Sequence, residues 1–250
     1  MTTNYNIFDI QVYDALTKRA IISTGGKLYV SATGAYAKST LVDPDNDYAA
    51  LANPISATRG KFRFAIASTG LGTPALDIHG MAPGGQAFRA TNLKPGEVTD
   101  IFIDTTNVVQ QLVVPFSIAD TTATTETDTG FDFPTGATIL PWPSVDVRTA
   151  DSTETIDVGL LSSESGGDAD GIIDLASIGT LGFLVPTSAG TPTLGALVRE
   201  TVTDSGAATA SVRSPYVVGA TAVSITYTLT TGSDTGKGFF EIPYRIGMNA

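Results

Sequence analysis

Apolar and polar positions alternate along much of this chain, and that alternation predicts strands rather than helices. In Val223-Ser224-Ile225-Thr226-Tyr227-Thr228-Leu229 every second side chain is apolar. A backbone with a two-residue repeat then seals a core with one face and meets water with the other. Phe62, Phe64 and Ile66 share one face of the run from Lys61 in the same way, with Lys61 and Arg63 on the other. Further strands are predicted at 27–32, 111–116, 144–149, 155–161, 211–213, 217–218 and 238–244. The runs 144–149 and 155–161 are close enough to form a hairpin turning at Asp151-Ser152. Likewise, 223–229 and 238–244 are separated by a loop of hairpin size at 231–236. Residues 121–128 are too hydrophilic and branched for a helix and read as a solvated loop. One segment, 171–178, has helical character with Asp170 as its cap, and it is too short to stand alone. Many short strands at regular spacing predict an all-β fold, an antiparallel β-sandwich or jelly roll.

Glycine and proline divide this pattern into two parts. Residues 67–100 are rich in both, with turns at Gly84-Gly85 and Lys94-Pro95-Gly96, as domain linkers often are. A boundary near residue 100 follows. Residues 1–100 form a smaller β module or extended arm, and residues 101–250 form the sandwich. Charge sharpens the division. Residues 1–94 carry nine Lys/Arg and six Asp/Glu, a balance of +3, whereas residues 95–250 carry five and nineteen, a balance of −14. A surface so acidic repels nucleic acid and anionic membrane, so neither is an expected partner. The basic third either docks on an acidic protein surface or is an ordinary solvated surface. No cysteine is present, so disulfides are excluded. The start, Met1-Thr2-Thr3-Asn4-Tyr5, lacks the basic-then-apolar order of a secretory signal, and no apolar run approaches membrane-spanning length. A soluble protein made in a cytoplasm is the expectation.

Little chemistry is visible. The best site candidate is the acidic loop 162–174, where Asp168-x-Asp170-Gly171 has the carboxylate spacing of calcium loops but lacks their terminal Glu. The alternative is a polar turn whose glycines take positive φ. Asp146 and Asp157, expected on adjacent strands, are the nearest thing to a glycosidase carboxylate pair. His79 is the only histidine, with no nucleophile or second ligand beside it in the sequence, and reads as structural. Trp142, fixed between Pro141 and Pro143, is either an interface anchor or, preferably, a plug for one end of the sandwich. Gly70-Leu71-Gly72 is not framed by a strand and a helix, so no phosphate loop is expected there. No catalytic, cofactor or metal residues are assigned, no cofactor is expected, and the chain is not expected to be an enzyme.

Two stretches go beyond composition. Leu51-Ala52-Asn53-Pro54-Ile55, followed by the turn at Arg59-Gly60 and the aromatic strand Lys61-Phe62-Arg63-Phe64, resembles the small β modules of tailed-phage virion proteins. Residues 144–183, with Gly167-Asp168-Ala169-Asp170-Gly171 and Gly179-Thr180-Leu181-Gly182, resemble a segment of phage structural proteins encoded near the capsid genes. The close of the chain, 224–244, fits the same group. The Gly-rich segment 65–95 departs from the module pattern, in which another strand usually follows directly. What the resemblance implies is a virion structural protein, a head decoration or cement protein on the outer capsid surface. It would bridge neighbouring major capsid protein subunits and join copies of itself as a homotrimer. The alternative is a tail or fibre component with a glycan- or receptor-binding sandwich. A hydrolase using Asp146 and Asp157 ranks third.

Overall fold

The structure is a computed structural model that describes residues 4–21, 25–68, 75–82, 84–96, 98–103, 109–121, 124–187, 193–204, 207–230 and 235–246. Strands make up 59% of the chain, and among the described residues the only helical turns are two short 3-10 segments, Ile118–Asp120 and Ala196–Val198. The fold is all-β. It divides into two compact units, Met1–Asn107 and Val108–Ala250.

The first unit holds β1 (Tyr5–Asp14), β2 (Lys27–Ala32), β3 (Leu41–Asp43), β4 (Ala49–Leu51), β5 (Ile55–Ser56), β6 (Lys61–Ala67), β7 (Leu76–Met81), β8 (Ala87–Leu93) and β9 (Val98–Ile103). One sheet runs β4-β3-β6-β1-β9 and the other β5-β2-β7-β8. Both contribute to one core, built on Phe8, Ile10, Phe62 and Phe64 from the first sheet and Leu28, Val30, Leu76 and Ile78 from the second. Phe8 and Phe64 sit opposite each other in register and stack at 5.3 Å. The Gly/Pro-rich stretch before residue 100 is therefore no linker. β7 is buried at all six positions and pairs with β8 as a hairpin, and β9 lies parallel to β1. Those pairings carry the first unit past residue 100. They also change its charge. Met1–Asn107 holds nine Lys/Arg and nine Asp/Glu, while Val108–Ala250 holds five and sixteen and so carries the entire net charge of −11.

The Asn-Pro stretch is the link that takes the chain from one sheet to the other, since β4 pairs with β3 and β5 with β2. β5 pairs with β2 only at Lys27 and Leu28; beyond it Val30 O accepts from Ser39 N at 2.9 Å, and the side chain of Asn53 completes the ladder. Its Oδ1 accepts from Val30 N at 3.0 Å, and its Nδ2 donates to Val30 O at 2.7 Å and Ser39 O at 3.0 Å. An amide side chain offers one acceptor and two donors, so it can extend a ladder where the main chain cannot. Five residues later, Thr58 and Lys61 exchange main-chain bonds around Arg59 (φ 52) and Gly60 (φ 71), a two-residue turn with both φ positive.

The second unit holds β10 (Val109–Ser117), β11 (Thr127–Phe133), β12 (Thr138–Ile139), β13 (Ser144–Thr149), β14 (Thr155–Leu160), β15 (Asp168–Ser177), β16 (Gly182–Leu184), β17 (Thr193–Leu194), β18 (Arg199–Asp204), β19 (Ala207–Arg213), β20 (Tyr216–Val217), β21 (Val223–Leu229) and β22 (Lys237–Arg245). One sheet runs β16-β13-β22-β12-β20, with β10 also paired to β22, and the other runs β11-β21-β14-β15-β17. Aromatic rings join them. Tyr227 of β21 lies 6.0 Å from Phe240 of β22, and Phe133 of β11 lies 5.1 Å from Tyr244 of β22. Tyr227 also donates its hydroxyl to Ser117 O at 3.3 Å, and burial pushes that hydroxyl's pKa upward.

Both expected hairpins are corrected by this topology. β13 and β14 belong to opposite sheets, as do β21 and β22, so each loop crosses the sandwich instead of turning back. The corner at Asp151 is held by its buried carboxylate, which accepts from Thr153 N at 3.1 Å and Thr235 Oγ1 at 3.1 Å. The expected helix at 171–178 is part of β15. A bulge there sets four residues of β15, Ile173 to Ala176, against three of β14, Val158 to Ile156. Leu175 takes φ 54 at the bulge and donates its amide to Asp157 Oδ1 at 2.7 Å.

Two substitutions test the first unit. Gly60→Ala places a Cβ on the carbonyl oxygen of Ile21 at a φ that side chains disfavour, and is expected to cost about 3–5 kcal/mol by denaturant unfolding. Asn53→Ala removes the acceptor that the fully buried Val30 N uses and one of two donors to Val30 O, which keeps Ser39 N, for an expected loss of about 1–3 kcal/mol. An unchanged denaturation midpoint in either case contradicts the role assigned.

Candidate interaction surface

The acidic loop 162–174 is tied down from its own ends. Ser162 donates its amide to Glu126 Oε1 at 2.8 Å, and Thr226 Oγ1 donates to the same oxygen at 3.1 Å. Glu164 accepts from Ser224 N at 2.7 Å and Ser224 Oγ at 3.0 Å. These carboxylates therefore lie across the outer side of β21, which explains why Ser224 and Thr226 are buried although they point away from the core. Asp168 and Asp170 lie two residues apart at the start of β15. Their carboxyls share a hydrogen bond, and that bond, with burial and the nearby Asp170 charge, pushes Asp168 up to about 6. Below about pH 6 the pair shares a proton. Among the described residues no group of three or more metal-type ligands comes together.

The carboxylates nominated as a catalytic pair are not assembled. Asp146 lies between the buried Val145 and Val147 and so projects outward from its sheet, beside Arg148. Asp157 lies between the buried Ile156 and Val158 and projects outward from the opposite sheet. Packed sheets stand about 10 Å apart, so two outward-facing groups exceed the spacing a glycosidase needs. Asp157 serves the bulge at Leu175, and burial in that setting raises its pKa despite the amide it accepts. His79 is buried in β7, its ring set edgewise to Tyr29 at 6.5 Å. Gly70-Leu71-Gly72 lies outside the described residues.

Trp142 departs from its expected role. It is 58% exposed and plugs nothing. The cause lies in the neighbouring strand. Pro243 interrupts β22 in the middle of its sheet, and its carbonyl accepts from Leu140 N at 2.8 Å. Main-chain N and O of one strand residue point the same way, so the missing amide hydrogen faces the 140–143 segment. No ladder can continue past it. β12 ends at Ile139, β13 starts at Ser144, and the detour between them turns Trp142 outward.

Trp142 is not isolated. β16 is an edge strand, paired only with β13, and Phe183 stands opposite Asp146 on the outer face. Phe183 is 59% exposed, and Leu181 and Val185 beside it are also exposed. Arg213 donates to the carbonyls of both Pro141 and Pro186, the latter at 2.7 Å. One guanidinium thus ties together the two segments that carry Trp142 and Val185. Sequence reading missed this surface because β16 is only three residues long and its exposure follows from its place at the sheet edge.

The first unit has a groove of about 300 Å³ where β3 meets β6 only at Val42 and Ala65. Leu51 and Ile55 line it together with Asp45, Lys61 and Arg63. Its arginine is already engaged, with Nε at 3.0 Å from Asp45 and Nη1 at 3.0 Å from Asp9. Comparison with known proteins gives no match: no family model, no curated protein and no solved structure.

The Asp168 proton sets a pH dependence. The folded carboxyl titrates at about 6 and the ordinary one at 3.8. The folded state therefore binds more protons between those values, and stability falls as pH rises through them. Asp168→Asn removes the repulsion that appears when the pair ionises. Its thermal midpoint is expected to exceed that of the parent at about pH 7 and to match it near pH 4, and the reverse order would contradict the shared proton.

Proposed function

We propose that this chain is a phage virion structural protein that decorates the head, bridging neighbouring major capsid protein subunits. The observation that carries the proposal is the exposed apolar strip of Trp142, Leu181, Phe183 and Val185 on a two-unit β protein. Such strips on β units suit function through contact area. Of the acid groups that sequence nominated for chemistry, Glu164 holds a loop and Asp157 a bulge, while Asp146 pairs with Arg148. The phage-like pattern at 51–64 adds the link to virion modules.

The charge distribution supports a division of labour between the units. The second unit carries all of the net negative charge and, with its apolar strip, suits contact between copies. The first, with equal numbers of acids and bases, meets the shell without long-range repulsion. A contact with no net charge on one side depends little on salt. In place of the basic grip expected from residues 1–94, contact through shape and apolar area is proposed.

Undecorated shells mixed with the full chain test this. Saturable binding that persists at about 1 M salt, where screening acts beyond about 3 Å, is expected, together with a higher temperature of shell rupture. Absence of binding, or binding that leaves rupture unchanged, contradicts the decoration role.

A further inference from the structure

β18 and β19 pair with each other from Arg199–Arg213 to Asp204–Ala207 and form a sheet of two strands. Among the described residues no third strand joins them. A two-stranded ribbon is marginal by itself in water and gains stability when a further strand or surface covers it. Its base is fixed, because Arg213 at the end of β19 grips Pro141 O and Pro186 O.

The same unit has an edge that lacks a cover. Among the described residues β16 has no partner on its outer side, and Trp142, Leu181, Phe183 and Val185 stand exposed around it. Natural edge strands are usually guarded by charge, proline within the strand or a bulge. β16 itself, Gly182-Phe183-Leu184, has none of these. Residues 175–198 contain no charged side chain at all, in a unit with sixteen acids. The ribbon is neutral too, with Arg199 and Arg213 balancing Glu200 and Asp204.

We propose that the ribbon of one copy covers the β16 edge and the Trp142–Phe183 strip of a second copy of this chain. Charge decides the occupant. A basic partner would seek the acidic surface elsewhere on the unit, whereas two copies of a unit at −11 meet most readily where charges balance, as Asp146 and Arg148 do beside Phe183 and as the four charges of the ribbon do. Area agrees. The four side chains expose roughly 400 Å² of apolar surface. Covering them with a ribbon of this length approaches the roughly 1,200 Å² of total buried area at which specific interfaces begin. Donor and acceptor are different surfaces, so two copies exchange ribbons reciprocally about a two-fold axis, or several join head-to-tail in a closed ring. The exchange rests on the decoration proposal only for its purpose, since joined copies clamp a shell better than single ones.

Light scattering on the full chain is expected to give a small whole-number multiple of 25.8 kDa. Phe183→Glu and Val212→Glu should each return the mass to a single chain with the strand signal in circular dichroism retained. Because the chain has no cysteine, a mixture of Phe183→Cys and Val212→Cys chains offers a direct readout. Mild oxidation is expected to give a disulfide between the two variants and none within either alone. A monomeric parent overturns the exchange, and so does a disulfide formed only between two Phe183→Cys chains. If Phe183→Glu fails to fold, the cysteine mixture still decides. A monomer that nevertheless coats shells overturns the exchange alone, and an oligomer that ignores shells overturns the decoration role alone.

Discussion

The missing amide hydrogen of Pro243 constrains much of the second unit. β22 is its central strand, with β10 on one side and β12 and β13 in tandem on the other. A proline is normally kept to the edge of a sheet, and Pro115 of β10, opposite Phe239, follows that rule. Pro243 breaks it, and the partner strand breaks with it. From that interruption follow the detour at 140–143, the outward Trp142, and a free carbonyl at Pro141 for Arg213 to grip. The place where the ladder fails is the place where the surface becomes apolar.

Much of the fold was legible because alternation is a local signal. The β6 and β21 patterns predicted the faces that Phe62, Phe64, Ile225 and Tyr227 occupy in the two cores. What failed was pairing. A short loop between two strands reads the same whether it turns back or crosses to the opposite sheet, so the connections from β13 to β14 and from β21 to β22 read as hairpins. Only tertiary partners, such as Thr235 bonded to Asp151, distinguish the two cases. The helix expected at 171–178 failed for a different reason. The bulge at Leu175 adds one residue, and Ile172, Ile173 and Ala176, all buried, then acquire a spacing that imitates one helical face.

The nominated site residues show a related limit. Acidic side chains in a β protein can serve as main-chain acceptors at loops and bulges, and Asp151, Asp157, Glu126 and Glu164 all do so. Sequence shows the carboxylates but not the amides that use them. The exposed strip was invisible for the complementary reason: Leu181, Phe183 and Val185 look like core residues until the sheet order places β16 at an edge. The phage-like pattern at 51–64 is likewise explained by folding, with Asn53 on the ladder, Ile55 in the core and Gly60 in the turn.

Asn53 has one further consequence, on the scale of chemical ageing. Asparagine side chains are lost over time when the main-chain nitrogen of the next residue attacks the amide and expels ammonia through a cyclic imide. At this position the next residue is Pro54, whose nitrogen is fully substituted and carries no hydrogen to lose. The route is blocked at the asparagine whose conversion to a carboxylate would turn two donated bonds, to Val30 O and Ser39 O, into repulsions. The link between the two sheets is thereby protected against deamidation.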